Sequence, residues 1–463
     1  MALIRRRSST DSPSLGTAHA RLDQIILLER ALREDAREVL RGVSSQHVLA
    51  DLGSALESSG AHAHKDWYHL SRPCESLDCF VSHSWRQGRW MKTMALAKHL
   101  HWKLALLLAA LSIVATTAAF PFWAPPDLCT AESDFNADWL RASTIMIIPG
   151  VVFLATVLWG QRIIFLRADC FVDKMCINQT DLRLKQHAIK SFDLFLRFSR
   201  RMVVLWSPTY LQRLWCVYEL ATFNRIHYDA ASRIEFVTEW GAPFTLCMTL
   251  LLACAPPFQY IAFCTLPFMS QVFGPVWGYV VNVGVVYILM VIAGSTIIYM
   301  EVTSHLQMVN QLRTFRLADA GANSADDVAT VHRLIELTWA SEPGATDGGA
   351  RFEAFVRGRL ATLVVSWHGE ATQLPYEKLL VSYFPILALG LMIAQVCDPG
   401  MLAMWGYRAP ADLPAWGLRW VLFSVELWGG ANPIAAVCAQ RAIVRCVQRG
   451  WRPAACVAAG TLA

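Results

Sequence analysis

A single acidic residue, Glu219, lies where residue types and spacing point most clearly to chemistry. An apolar run from Met202 to Trp206 predicts a buried strand, and Ser207-Pro208 ends it because proline favours a turn. The helical pattern beyond this turn places Trp215 and Glu219 four residues apart, on one helix face. A carboxylate and an indole would then lie at the carboxyl end of a strand, where open α/β sheets bind ligands. A fixed carboxylate there stabilises positive charge better than water does.

Further strands must position this carboxylate. The segment Asp78-Cys79-Phe80-Val81-Ser82-His83-Ser84-Trp85 contains the first predicted strand, from Cys79 to Ser82. The second runs from Ala168 to Asp173 and ends in an acidic residue. A short β-branched stretch from Arg233 to Val237 predicts a fourth strand, after the helix that carries Glu219.

In this order the segments resemble the Toll-receptor-type (TIR) domain. Its pattern is a strand and loop, a helix, a strand with a terminal Asp, then strand-Ser-Pro and Trp-Cys-x-x-Glu-Leu. The resemblance covers residues 76–240, and within it Cys176-Ile177-Asn178-Gln179 is similar to the related fungal heterokaryon-incompatibility domains. The resemblance implies an α/β fold with a flavodoxin-like, TIR-type parallel sheet, here with four of the family's five strands.

In TIR domains that hydrolyse NAD, a glutamate of this helix contacts the ribose attached to nicotinamide, and Glu219 occupies the matching position. Breaking that glycosidic bond develops oxocarbenium character, which a nearby carboxylate stabilises. The resemblance thus implies Glu219 as the catalytic residue and NAD as a substrate, with no separate cofactor and no metal. Arg86 and Lys174 are the cations nearest to a pyrophosphate. The implied ligand-binding positions are Trp215, Ser82, Arg86, Asp173, Lys174 and Ser207.

The chain is far more apolar than an ordinary soluble protein. Of its 463 residues 55% are hydrophobic and 17% are charged, and the mean hydropathy is +0.35. The excess is concentrated in six stretches, each able to cross a hydrocarbon core of roughly 30 Å as a helix. A bundle of about six transmembrane helices in a lipid bilayer is therefore predicted. The stretches run from Leu104 to Trp123, Ser143 to Phe165, Phe244 to Phe268, Val276 to Met300, Leu379 to Cys397 and Trp416 to Val437.

Basic residues beside these stretches predict their orientation, because Lys and Arg are retained on the cytoplasmic side. Lys103 precedes the first stretch, Arg167 follows the second and Arg441 follows the sixth, whereas the loop 124–140 is acidic and has no Lys or Arg. Both termini and the TIR-like segment are predicted to face the cytoplasm of a multi-pass membrane protein. The net charge of +5 is explained by these flanks and gives no case for nucleic-acid binding.

The TIR-like domain is predicted to be discontinuous. The helix after its first strand, from about Arg89, passes into the first apolar stretch, so a transmembrane hairpin separates the first two strands. Such an insertion is tolerable because the cost of closing a loop grows slowly with its length. The predicted organisation is a disordered basic tail (1–17), an amphipathic helical region (18–75), the split domain (76–102 and 166–240), three transmembrane hairpins (103–165, 241–300 and 378–440), a cytoplasmic helical segment (301–377) and a basic cytoplasmic tail (441–463).

Other interpretations stay open at this point. The domain could act without catalysis, as a scaffold that associates with copies of itself through the loop from Asp173 to Asp181. A channel or transporter would rest on the span count and on Glu426, which pairs by spacing with Arg419. A zinc site is compatible with the residue types in one cluster but not with any trusted spacing. That cluster consists of His62, His64, His69, Cys74, Cys79 and His83.

Overall fold

A six-stranded, mostly parallel sheet forms the centre of the fold. The computed structural model describes residues 39–58, 65–123, 135–163, 167–238, 240–253, 271–272, 292, 295–296, 298–322, 324–342, 344, 346–368 and 432–462. The strands are β1 (Arg41–Ser44), β2 (Arg72–Pro73), β3 (Leu77–His83), β4 (Asp169–Phe171), β5 (Ser199–Trp206) and β6 (Ile234–Thr238). Their order is β2-β1-β4-β3-β5-β6, with β4, β3, β5 and β6 parallel and β1 and β2 antiparallel to their neighbours. The predicted mixed α/β fold with a mainly parallel sheet is confirmed.

The two central strands are buried on both faces, as strands of a covered parallel sheet must be. Leu77 and the stretch from Cys79 to His83 in β3 are buried, and so is the run from Met202 to Trp206 in β5. Continuous apolar runs of this kind are also what the sequence pattern singled out. The core of the molecule therefore lies on both sides of β3 and β5.

Helices surround the sheet and extend beyond it. Those of eight or more residues with both ends described are α1 (Arg89–Trp123), α2 (Phe135–Trp159), α3 (Leu182–Lys190), α4 (Leu214–Ile226), α5 (Gly241–Ala253), α6 (Ala325–Trp339), α7 (Gly348–Phe355), α8 (Ala361–His368), α9 (Asn432–Gln448) and α10 (Pro453–Leu462). A π-helical turn, Val356–Leu360, joins α7 to α8. Residues 298–313 form a further helical stretch. One-turn helices occur at Ser45–Val48, Asp173–Cys176 and Ala230–Arg233, and a six-residue helix at Phe192–Arg197.

The region before β3 differs from its sequence prediction. Of the amphipathic helix predicted from Ala18 to Gly42, all but the last residues lie outside the described part of the chain. The described remainder contributes the antiparallel strands β1 and β2 rather than a long helix. The Arg41 guanidinium donates to the carbonyl oxygen of Ser71 at 2.5 Å, which fixes β1 beside the start of β2. These strands are short and are stabilised by residues far away in the chain, so no periodic sequence pattern predicts them.

The predicted insertion is present as a helical hairpin. The helices α1 and α2 lie between β3 and β4 in the chain, and α1 runs without interruption for 35 residues, about 52 Å. Ala105 and Ala109 of α1 pack against Phe153 and Val157 of α2. Small residues on α1 let the two helices approach closely. The sheet and the hairpin are thus joined by one rigid element.

The apolar surface of this hairpin faces outward. Among the described residues one helical stretch, Arg89–Thr116, is long and apolar enough to cross a membrane, and 22% of its most apolar window is buried. Its side chains at Leu107, Leu111 and Val114 are more than half exposed. In α2 the shorter stretch Ile147–Arg162 is also apolar. Of the other four predicted spans, 379–397 lies wholly and 244–268, 276–300 and 416–437 lie largely outside the described residues, as do Arg419 and Glu426.

The segment after residue 300 shares the core of the sheet domain. Leu312, Val331 and Trp339 belong to the same cluster of buried side chains as β3 and β5. The Gly321 carbonyl accepts from the Leu214 amide at 3.0 Å, which ties this segment to the start of α4. The sequence left open whether the segment completes the domain. The described residues of this segment contribute to the core but form no strand. They make one isolated β-bridge, between Gly321 and Arg213.

A left-handed turn anchors α1 to the region before β3. Asp51, Leu52 and Gly53 all have positive φ, and a Cβ at Gly53 would overlap the Thr93 hydroxyl, which donates to the Arg89 carbonyl at 2.9 Å. We expect Gly53→Ala to lower the free energy of unfolding by about 1–3 kcal/mol because the fixed hydroxyl must move. Urea unfolding in detergent micelles would measure this. Gly450→Ala is the matched control, because Gly450 has the same positive φ of 71° but an added Cβ there meets no atom within 4 Å, and an equal effect of the two would contradict the clash.

Candidate functional site

The candidate site lies where the chain reverses its direction of travel across the sheet. The chain runs from β3 to β4, which lies on one side of β3, and then to β5, which lies on its other side. The strands β3 and β5 are therefore neighbours in the sheet although they are not consecutive in the chain. In open α/β sheets, ligands bind at the carboxyl ends of strands at such a point. We call this the switch-point site and define it by Ser82, Trp85, Asp173, Tyr210 and Glu219. Its position follows from topology and not from any one motif.

Three side-chain oxygens in this site form a hydrogen-bonded chain. Ser82 Oγ lies 2.6 Å from Glu219 Oε2 and 2.6 Å from the Tyr210 hydroxyl, which is 3.2 Å from the Cys216 carbonyl oxygen. When Glu219 is ionised, Ser82 donates to the carboxylate and accepts from Tyr210. When Glu219 is protonated, it donates to Ser82, Ser82 donates to Tyr210, and Tyr210 donates to the Cys216 carbonyl oxygen. The same groups therefore satisfy both protonation states of Glu219.

The protonation of Glu219 is set by its surroundings. Its side chain is partly exposed, yet folding removes much of the carboxyl from water, and this desolvation raises its pKa to about 8. The hydrogen bond from Ser82 acts in the opposite direction, and the charge of Asp173 adds to the rise. Glu219 is therefore mainly protonated at neutral pH. A cationic group bound beside it would favour the ionised form.

This raised pKa makes a pH-dependent contribution to stability. Between pH 4.5, the ordinary value, and about pH 8, the folded protein keeps a proton that the unfolded chain releases, so stability falls as the pH rises through this window. We expect Glu219→Gln, which mimics the protonated form, to match the wild type near pH 4.5 and to unfold at higher temperature than the wild type near pH 9. Scanning calorimetry in nanodiscs at several pH values measures the difference. A difference that is independent of pH would contradict the assignment.

A second cluster is organised by the Trp85 indole. Its Nε1 donates to Asp173 Oδ2 at 2.7 Å, and Asp173 Oδ1 accepts from the Lys174 amide at 2.7 Å. Desolvation raises the pKa of Asp173, while these two hydrogen bonds oppose the rise. The Lys174 ammonium lies 5.6 Å from the indole centroid and donates to the Glu57 carbonyl at 3.0 Å. Asp173 and Lys174 are thus brought to the site, but each already has protein partners.

Hydroxyl groups connect the two loops of the site. Thr209 Oγ1 lies 2.9 Å from Ser84 Oγ and 3.1 Å from Ser207 Oγ, and both serines are buried. The loop after β3 is thereby held to the loop after β5. Ser207, one of the predicted ligand-binding residues, thus lies in a loop of the site, where its hydroxyl is hydrogen-bonded to that of Thr209.

The remaining positions implied by the resemblance lie farther out. The Trp215 ring packs against Phe192 and Tyr218, with centroids 5.6 and 6.1 Å apart, on the side of the helix that meets the core. The Arg86 side chain is exposed, and its amide donates to Ser84 Oγ at 3.3 Å. The structure therefore brings Ser82, Asp173 and Glu219 together more closely than it does Trp215 or Arg86.

Two residues in or beside the site were not predicted from the sequence. Tyr210 follows the Ser-Pro turn and is fully buried, with its hydroxyl on Ser82. Lys92 reads in the sequence as a flank of an apolar stretch, but its side chain is 0% exposed and its ammonium lies 4.7 Å from the Trp85 ring centroid. The tyrosine could have been suspected from its place beside the strand end. Nothing in the sequence distinguished Lys92 from Lys98 or Lys103.

Cysteine and metal chemistry find little support here. Burial raises the pKa of the Cys216 thiol well above its ordinary value, so it stays protonated, and its Sγ lies 3.3 Å from the His83 carbonyl oxygen. Among the described residues no three His, Cys, Asp or Glu side chains converge as metal ligands. His62 and His64 of the cluster singled out in the sequence lie outside these residues. Two groups remain whose pKa lies near neutral pH: the Glu219 carboxyl, raised to about 8, and the Lys92 ammonium, lowered to about 8, each by desolvation.

The fold is that of an α/β domain whose candidate site lies at the switch point of its sheet, and the continuous helix α1 leads from this domain into an apolar helical hairpin. No family model, no curated protein and no solved structure matches the chain. The chemistry of the site is therefore carried by its own geometry and charges.

Proposed function

We propose that this chain is a membrane-anchored, TIR-like signalling protein that cleaves NAD to nicotinamide and an ADP-ribose product when neighbouring domains assemble. The observation that carries the proposal is the partly exposed Glu219 carboxyl at the switch point, bonded to Ser82. The parallel strands β3, β4, β5 and β6 lie in the spatial order 2-1-3-4, which agrees with the flavodoxin-like sheet that a TIR-like domain would have.

The state of Glu219 fits a cationic substrate. The nicotinamide ring of NAD carries a positive charge, and binding it beside Glu219 favours loss of the proton that the free site holds. The resulting carboxylate then faces the ribose as positive charge develops there. Nicotinamide leaves with the electron pair of the broken bond and needs no strong general acid, and a water molecule adds to the same ribose carbon and releases a proton to solvent. Once Glu219 has lost its proton, Ser82 donates to the carboxylate and accepts from Tyr210.

The exposed apolar face of α1 supports anchoring in a bilayer. Leu107, Leu111 and Val114 form a continuous face that water would solvate poorly. The proposal places the domain and both termini in the cytoplasm, with the predicted multi-pass bundle in the membrane. The rigid helix α1 would then hold the switch-point site close to the lipid surface.

Assembly is supported by the loop that follows β4. Asn178 Oδ1 accepts from the amides of Thr180 and Asp181, and Asp181 in turn caps α3, so the loop has a defined shape. Beside it Leu182 and Leu184 are exposed by 67% and 46%. The same two leucines favour the second candidate, a scaffold without catalysis that binds copies of itself through this surface.

The test measures NAD consumption and nicotinamide release by the full-length protein in nanodiscs at several protein densities, with Glu219→Ala alongside. Turnover that rises with density and disappears in the variant is expected. Absence of turnover at every density, with both proteins folded, would reject the enzyme and leave the scaffold. In that case Leu182→Ser with Leu184→Ser should abolish self-association measured by light scattering.

A further inference from the structure

Lys92 carries a buried positive charge whose hydrogen-bonding capacity is unused. Its side chain is 0% exposed, and its ammonium has no hydrogen-bond partner among the described residues. Burying an ammonium without compensation is costly, and such groups in proteins are normally paired. The Trp85 ring, 4.7 Å away, and the charge of Asp173 compensate part of this cost, and the desolvation that they do not offset lowers the pKa of Lys92 to about 8, so the ammonium is still mainly charged at neutral pH. The remaining capacity points to an anion that is not part of the fold.

The charges around Lys92 favour an anion. The Lys174 ammonium lies 5.6 Å from the centroid of the same indole, and the side chain of Arg86, which follows Trp85 in the chain, is exposed. Asp173 is the acidic group of this cluster, and one of its oxygens is occupied by the Trp85 indole N–H. Glu57 is a second carboxylate nearby, but it pairs with Arg89 at 3.2 Å, so with Glu219 largely protonated the cations Lys92, Lys174 and Arg86 still outnumber Asp173. The site therefore has a positive potential at neutral pH.

Geometry adds a second reason. Lys92 is in the first turn of α1, and the amino terminus of a 35-residue helix presents amide N–H groups and a partial positive charge. At Gly88, just before this turn, an added Cβ would meet no atom within 4 Å, so there is open space beside the helix end. A group bound there would approach both the helix terminus and, once Trp85 moves aside, the ammonium.

We propose that Lys92 and the first turn of α1 bind the pyrophosphate of a nucleoside diphosphate, with the Trp85 indole covering the ammonium until the anion replaces it. The anion site is argued independently of catalysis. Only its assignment to the dinucleotide rests on the proposed function, because Glu219 would receive the nicotinamide riboside end of the same molecule. In this arrangement Lys92 takes the role that sequence reasoning gave to Arg86 and Lys174.

The test titrates inorganic pyrophosphate and ADP-ribose into the full-length protein in nanodiscs of zwitterionic lipid, followed by calorimetry. We expect Lys92→Met to weaken both about ten- to a hundredfold, as loss of a hydrogen bond to a charged group does. Lys92→Arg should retain part of the affinity. Lys103→Met, on the same helix but away from the site, is the matched control. Unchanged affinity in Lys92→Met would overturn the proposal.

Further variants separate the possible failures. Glu219→Gln should bind pyrophosphate as the wild type does, and pyrophosphate binding by the wild type without any NAD cleavage would reject the proposed function and keep the anion site. Cleavage with a normal KM for NAD in Lys92→Met would do the opposite. If Lys92→Met does not fold, Trp85→Ala tests the proposal instead. This variant uncovers the Lys92 ammonium and should therefore bind pyrophosphate more tightly than the wild type does. Equal or weaker binding in Trp85→Ala would then count against the proposal.

Discussion

Replacing Glu219 with glutamine should reduce NAD cleavage by the full-length protein about 10²- to 10³-fold while leaving the fold intact. A preorganised group aimed at developing charge typically contributes an effect of this size. Glutamine keeps the shape and can hydrogen-bond to Ser82, so the lost property is the negative charge. Initial rates of nicotinamide release in nanodiscs, at a density where the wild type is assembled, measure the effect.

The same assay has a pH signature. Because the free site titrates with a pKa of about 8, kcat/KM should rise with pH up to that value, and Ser82→Ala, which removes a bond that lowers the pKa, should move the rise to higher pH. Glu342→Gln is the matched control, since it makes the same chemical change at an exposed position. A wild-type profile that is flat between pH 6 and 9 would argue that another group controls the reaction.

The second large effect concerns the core that joins the two halves of the split domain. Phe80 precedes the inserted hairpin and Phe171 follows it, and their rings stack with centroids 4.5 Å apart. Phe192 meets both rings edge-on at 5.9 Å and also contacts Trp215 of α4. This aromatic cluster thus connects β3, β4 and the helix that carries Glu219.

We expect Phe80→Ala to lower the free energy of unfolding by about 3–5 kcal/mol, because a fully buried ring is replaced by a cavity. Pulse proteolysis across a urea series in detergent micelles measures this change. Trp90→Ala, which removes an aromatic side chain that is 50% exposed, should cost far less. Equal costs would mean that the halves on either side of the hairpin do not share one core. Phe171→Ala combined with Phe80→Ala should cost less than the sum of the two, since the rings are in contact.

Some elements were predictable because their signals are local. The strand ending at Trp206, the turn at Ser207-Pro208 and the helix with Glu219 are specified by apolar runs, proline and helical spacing within a few residues of one another. The continuity of α1 from the α/β domain into an apolar stretch was likewise predictable, since no residue before the last turns of this helix breaks it. Patterns of this kind act through the backbone of the same segment, so they survive without knowledge of the fold.

Other features depend on partners far away in the chain. The antiparallel strands β1 and β2 have too few residues to show a period, and β1 exists because β4 offers it an edge, with Val43 opposite Cys170. Tyr210 became part of the site only when β3 and β5 were placed side by side. In the described part of the predicted helical region 18–75, the strands β1 and β2 alternate with short helical turns such as Ser45–Val48.

The sequence by itself determined that this protein has an α/β domain interrupted by an apolar helix, and that Glu219 follows a buried strand. Only the tertiary structure decided which groups surround that carboxyl and that Lys92 is buried beneath Trp85. The raised pKa of Glu219 is a consequence of desolvation in a site where it meets Ser82, 137 positions away in the chain, and the buried ammonium of Lys92 lies near Asp173, on the far side of the inserted hairpin in the chain. Burial is a property of the packed molecule, whereas hydrophobic spacing is a property of the segment.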